Sequence, residues 1–312
     1  MTVASAQEPV IDGFRHEALI YGSDEELLDV AVPFLGGGLE AGEPTLLRLP
    51  SRQQALVLDA LDGAEGVTVL SQLGPLSPLS ALRTTHTVIR RLAAEGCPRI
   101  RMLGDVPHQP WRGWVRYEAA VNRVLAPFPA WGLCPYDTRR TPANVIEDVE
   151  RTHPIRSTRD LRGTHNAAFQ DPLAVLEREA QRPDPAEHRR PEIELTDPSP
   201  ATAGTAVGVL ADAINLGPDA GDTLRLAVTA VVANARTHGR RPVVVRAWTG
   251  THRVVATVSD AGPGPADLLH GVLATGEADD SSTLYHVREA VSEVSMFRAP
   301  AGFTVRLVQH RR

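Results

Sequence analysis

Asn234-Ala235-Arg236-Thr237-His238-Gly239 and Asp260-Ala261-Gly262-Pro263-Gly264 are the two stretches from which the fold of the C-terminal half can be read. The first closes an amphipathic run near Asp222–His238. An imidazole beside the last carbonyls and a glycine just past them suit a helix end. The second follows directly on an apolar strand, Val254–Ser259, and its glycines and proline make a turn. Another strand, Val243–Trp248, precedes it and is joined to it through Thr249-Gly250-Thr251. Working outward, a short strand at Ile193–Leu195 leads into a helix over Ala201–Asn215 and a turn at Gly217-Pro218. Beyond the second stretch come a helix near Thr283–Val294 and a closing strand, Phe303–Val308. The pattern predicts an antiparallel sheet with helices on one face, an α+β sandwich. No internal repeat is present.

The N-terminal half has a different rhythm. Ala18–Tyr21, Thr45–Leu49, Val67–Leu70, Arg99–Leu103 and Trp131–Tyr136 read as strands. Asp24–Leu35, Arg52–Leu61, Leu79–Glu95 and Trp114–Leu125 read as the helices between them. Such alternation predicts an α/β domain with a mainly parallel sheet covered on both faces. After His153-Pro154 the pattern loosens into a helix at Pro172–Gln181 and then the proline-rich, charged stretch Arg182–Pro191, which reads as a linker. The expected division is therefore 13–155, a helix and linker over 156–191, and 192–312.

Composition narrows the chemistry. The chain has 312 residues, 42% of them hydrophobic and 22% charged, as in ordinary soluble proteins, and the length suits two domains. The formal charge of −6 argues against a grip on duplex DNA. All 32 basic residues are arginine, so no Walker lysine exists and Gly36-Gly37-Gly38 is not a phosphate loop. Cys97 and Cys134 are too few for a disulfide framework, which favours a reducing compartment. Neither a membrane-spanning run nor a signal peptide is legible, and the expectation is a cytoplasmic protein.

The two opening stretches together resemble the N box and G1 box of the GHKL superfamily, whose Bergerat sandwich serves histidine kinases, gyrase, Hsp90 and anti-sigma serine kinases. Leu224–Val228 and Pro242–Arg246 around them most resemble the stand-alone anti-sigma branch. The resemblance implies that Asn234 offers an oxygen to a nucleotide-bound Mg²⁺ and that Asp260 accepts from the adenine amino group. His238, Gly262, Gly264 and the late Gly302-Phe303-Thr304, through Thr304, complete the nucleotide-binding set. Two departures stand out. The glutamate of active members, one turn before the asparagine, is Ala230 here, and a methyl group cannot serve as a base. Ser281-Ser282-Thr283-Leu284 stands where a second glycine box would close backbone amides over phosphates, although serine and threonine could still cap the helix. ATP or ADP with Mg²⁺ is therefore expected to bind weakly at best, with no catalytic residue.

Phe14-Arg15-His16 with Tyr21, Phe34-Leu35 through Gly42-Glu43, Gly104-Asp105, Tyr117-Glu118 with Asn122, Leu133–Asp137 and His153-Pro154 resemble the MEDS sensory domain, distantly like RecA and KaiC folds. The resemblance implies a small-molecule sensor pocket built from His16, Tyr21, Asp105, Glu118, Cys134 and Asp137. Strand ends of an open parallel sheet are where such ligands bind. His16 and Cys134 read equally as satisfied core residues, and Trp111 and Trp114 as core aromatics. His165 reads as a solvated loop residue. The combination is similar to RsbA-like anti-sigma regulators of actinobacteria. It implies sequestration of a sigma factor, an anti-sigma antagonist, or both in exchange, without direct DNA or membrane contact, and leaves room for a homodimer. The alternative it implies is an ATP-dependent serine kinase of the antagonist.

Overall fold

The computed structural model describes residues 13–62, 65–72, 77–108, 111–273 and 280–311, with only the backbone of 280–282. The chain divides at Val175/Leu176 into two compact units.

The first unit is an α/β layer structure. Its strands are β1 (Arg15–Tyr21), β2 (Thr45–Arg48), β3 (Val67–Val69), β4 (Ile100–Gly104), β5 (Ala130–Asp137), β6 (Ile155–Arg156) and β7 (Thr164–His165), in spatial order β3-β2-β4-β5-β1-β6-β7. All neighbours are parallel except β6 and β7. The helices are α1 (Asp24–Glu40), α2 (Ser51–Ala60), α3 (Pro78–Ala94), α4 (Trp111–Val124) and α5 (Ala143–Thr152). Leu19, Phe34, Leu35, Leu47, Leu103 and Trp131 form one core cluster, into which α1 and α2 pack. Trp111 and Trp114 are buried core residues, and the Trp111 indole donates to Asp148 on α5 at 3.0 Å.

Two features differ from the sequence expectation. Helix α1 does not stop at Leu35 but runs through Gly36-Gly37-Gly38 to Glu40. Gly38 lies so close to β2 and β4 that a Cβ there would sit 2.6 Å from Thr45 Oγ1 and 2.9 Å from the Arg101 side chain. Close packing thus offsets the roughly 1 kcal/mol that a helical glycine costs. The fully buried Arg101 is held by Glu43 (2.6 Å), the Phe34 carbonyl (2.9 Å) and the faces of Phe34 and Trp131. Helix α5, absent from the expectation, opens after Pro142 and buries Val145, Asp148, Val149 and Thr152 at helical spacing.

The second unit is built on a five-stranded antiparallel sheet of β8 (Ile193–Thr196), β9 (Val244–Gly250), β10 (Arg253–Asp260), β11 (Glu293–Ala299) and β12 (Gly302–His310), in order β11-β12-β10-β9-β8. Helices α7 (Pro200–Ala213), α8 (Pro218–His238) and α9 (Asp280–Ala290) cover one face. Both α7 and α8 begin with proline at the first turn, α7 behind a capping Ser199 and α8 behind Gly217. Val207, Leu224, Val228, Val232, Val254, Ala256, Phe303, Val305 and Leu307 meet in the core between them.

Arg182–Pro191 is not a free linker. It holds a 3₁₀ turn at Pro185–His188, capped by Asp184 and Glu187, on the other face of this sheet. There Ala186 packs on Trp248, Val255 and Val308. Buried Arg306 of β12 donates to the carbonyls of Ala180 (2.7 Å) and Arg182 (3.1 Å), so the end of α6 (Pro172–Gln181) belongs to the same layer. Strand β11 is the other departure: the helix expected to reach Val294 ends at Ala290, and a strand starts at Glu293.

Candidate functional site

In the second unit the two glycine-bearing stretches come together. Helix α8 ends at His238, which is exposed, and the Gly239 N–H caps back to the Ala235 carbonyl. The Asp260 carboxylate, at the end of β10, accepts from the backbone N–H of Arg240 (3.1 Å) and of Gly262 (2.6 Å). Ala261 N–H donates to the Arg240 carbonyl at 2.8 Å. Gly264 has φ +70°, and any Cβ there would run into the Phe303 ring, so only glycine fits this turn.

Not every residue of the expected nucleotide set joins this corner. Asn234 and Ala230 are half-buried, one helical turn apart on α8, and Ala230 packs against the core. Thr304 belongs elsewhere. Strand alternation sends Phe303 and Val305 into the core beneath the helices and Thr304 to the opposite face, where its hydroxyl bonds Ser259 at 2.9 Å. Ser281, Ser282 and Thr283 stand in the first turn of α9, while residues 274–279 and the side chains of Ser281 and Ser282 lie outside the described residues. Among the described residues an adenine nucleotide would find the second oxygen of Asp260 as acceptor and Asn234 as an oxygen ligand for its metal. No carboxylate stands at 230.

In the first unit a cavity of about 500 Å³ opens at the carboxyl ends of β1, β2, β4 and β5. Tyr21, Asp105 and Asp137 line it, with Arg48, Gln53 and His108 beside them. Burial, reinforced by the carboxylates of Asp137 and Asp105, pushes the Tyr21 hydroxyl up to about 12. Burial also raises Asp105, whereas the Arg139 guanidinium holds Asp137 below the usual range.

His16, Glu118 and Cys134, expected in the same pocket, are not among the cavity's lining residues. They form a separate, fully buried cluster between the sheet and helices α4 and α5, joined there by His153. His16 Nε2 lies 3.4 Å from Cys134 Sγ and 3.4 Å from Glu118 Oε2; His153 Nε2 lies 3.7 Å from Glu118 Oε2. Outer contacts fix His16, His153 and Glu118. Asn122 donates its amide to the carbonyls of Glu118 (2.8 Å) and Thr152 (2.9 Å), which leaves its oxygen to accept from His16 Nδ1 at 3.1 Å. His153 Nδ1 donates to the Val149 carbonyl at 2.9 Å. Both rings therefore carry hydrogen at Nδ1 and turn a bare Nε2 inward. Tyr136 donates to Glu118 Oε1 at 2.8 Å, leaving Oε2 without a hydrogen bond. Burial pushes His16 down to about 4 and His153 to about 3, so both imidazoles are neutral at pH 7, and it raises Glu118 and Cys134.

His108 connects cavity and cluster: it pairs with Asp105 at 3.1 Å and stacks on Tyr136, 5.5 Å between centroids. His153, Asn122 and Tyr136 belonged to the motifs quoted for the resemblance but carried no site role there. The signal for Asn122 and His153 was the spacing of buried-type polar residues along α4 and at the end of α5, and Tyr136 sits two residues after Cys134 on β5.

No curated protein sequence matches the chain. Residues 15–154 match the model of the MEDS domain, the methanogen/methylotroph, DcmR sensory domain. Residues 196–309 match that of the histidine kinase-like ATPase domain. The chain therefore carries a MEDS sensory domain followed by a histidine kinase-like ATPase domain, the arrangement of a regulatory protein.

Proposed function

We propose that this protein is an anti-sigma-type regulator whose ATPase-type domain captures a protein partner, a sigma factor or an anti-sigma antagonist, under control of the MEDS domain. It acts in the cytoplasm; among the described residues no helix is long and apolar enough to cross a membrane. One observation carries this reading. Backbone bonds from Arg240 and Gly262 hold the Asp260 corner beside the end of α8, the helix that carries Asn234, while the position where the resemblance expects a proton acceptor is Ala230. Residues four apart share a helix face, so a carboxylate at 230 would stand beside Asn234. Without it, phosphoryl transfer to serine loses a contribution worth about 10²–10⁴ in rate. A partner surface needs no turnover.

The sensor shifts partner affinity only if its ligand favours one of two states of the chain. The strand-edge cavity, with Tyr21, Asp105, Asp137 and His108 around it, is the site where a small polar molecule would act. Isothermal titration of the full chain with ATP and ADP, with and without Mg²⁺, tests the nucleotide side. Weak or undetectable binding fits partner capture. Tight Mg²⁺-dependent ATP binding with hydrolysis would instead make this a kinase of the antagonist, the reading that Asn234 and Asp260 support.

A further inference from the structure

We propose that His16, Glu118, Cys134 and His153 bind one divalent transition metal ion of the zinc class, which makes the MEDS domain of this chain a metalloprotein. Four features carry the proposal. The donor set, two imidazoles, a thiol and a carboxylate, is one that borderline-soft divalent ions select. Its four ligand atoms lie within 4.8 Å of one another. A tetrahedral ion with bonds of about 2.0–2.3 Å sets its ligands roughly 3.3–3.8 Å apart, and the spacings of 3.4, 3.4 and 3.7 Å fall in that range.

The outer hydrogen bonds are those that aim ligands at a metal. Asn122 and the Val149 carbonyl hold the two Nδ1–H groups, and Tyr136 holds the far oxygen of Glu118. Each leaves one lone pair pointing inward. Among the described residues Glu118 Oε2 and His153 Nε2 are buried without a hydrogen-bond partner, and His16 Nε2 meets the Cys134 thiol. Such groups are costly to leave unmet. Finally, the charges close. A thiolate and a carboxylate neutralise a dication, so the filled site is neutral in a fully buried setting. Protons on Cys134 and Glu118 are the rival occupants of the same positions. The Glu118–Tyr136–His108 chain then runs from the ion to the cavity, which gives the sensory half a ligand of its own. The proposal is independent of partner capture, because metal content is read on the purified chain alone.

The experiment uses the full-length protein. Its metal content is measured by mass spectrometry after growth with added ZnCl₂, and the chelated protein is then titrated with CoCl₂. About one zinc per chain is expected, and one cobalt bound in a tetrahedral site with a thiolate-to-cobalt charge-transfer band. Only two cysteines exist, so the band must persist in C97S, which leaves the core untouched, and vanish in C134S. Y136F keeps all four ligands and should weaken cobalt binding about 10–100-fold. Absence of stoichiometric metal and of the band overturns the proposal, as does a band lost in C97S or retained in a folded C134S. Should C134S not fold, C97S and Y136F decide.

Discussion

In the MEDS domain the residues of the cluster are interior: His16, Glu118, Cys134 and His153 are each buried, and His16, Glu118 and His153 are gripped from behind by another polar group. In the ATPase-type domain the residues of the expected site stand at a margin. Asn234 and Asp260 are half-buried at the ends of α8 and β10, and Asp260 spends one oxygen on backbone amides. The difference teaches where each site's shape comes from. The buried cluster depends on its side chains, so losing one leaves others unmet. The corner at Asp260 depends on backbone bonds and on glycine, so it keeps its form although the acid at 230 is absent. Shape and catalysis rest on different atoms there.

The comparison can be broken most forcefully in the first unit's interior. Glu43→Ala removes the buried carboxylate that Arg99 and Arg101 each approach at 2.6 Å. A loss of about 3–5 kcal/mol is expected. Hydrogen exchange should show it in residues 13–175 and not in the ATPase-type domain. Unchanged protection would mean that the buried pair does not hold the sheet. Next comes Gly264→Val, which forces a β-branched residue into a left-handed turn against the Phe303 ring. The ATPase-type domain should lose roughly 3 kcal/mol, read as faster exchange in β10 and β12. A neutral result would show the turn to be adaptable.

The Asp260 variants separate shape from binding. Asp260→Ala strips an acceptor from two backbone amides and should cost about 1–3 kcal/mol. Asp260→Asn keeps an acceptor oxygen, so stability should change by less than about 1 kcal/mol. Both should abolish whatever nucleotide binding the native chain shows in calorimetry. Nucleotide binding unaltered in Asp260→Asn would remove Asp260 from the site. The smallest effect is expected from Ala230→Glu, a slow gain of phosphoryl transfer at most, because one carboxylate does not rebuild a phosphate lid.

Both fold classes were legible because period and order survive in the sequence: strands alternate with helices before Asp148, and paired strands follow α8. Strand β11 was hidden because Val287, Val291 and Val294 continue a helical spacing across the helix end. The 3₁₀ turn at Pro185–His188 was hidden because its anchors, Trp248 and Arg306, lie far along the chain. The face that Thr304 takes was not legible, because a motif fixes neighbours in sequence, whereas strand alternation fixes the face. His16, Glu118 and Cys134 were legible as types, but only the packing of α4 and α5 on β1 and β5 separates them from the cavity and adds His153.

The central claim, capture without phosphorylation, is tested most directly by incubating the native protein and its co-purified partner with γ-labelled ATP and Mg²⁺. The account predicts a stable complex and no label on the partner. Label transferred to a partner serine by the native chain, and lost in Asn234→Ala, would contradict it and establish a kinase.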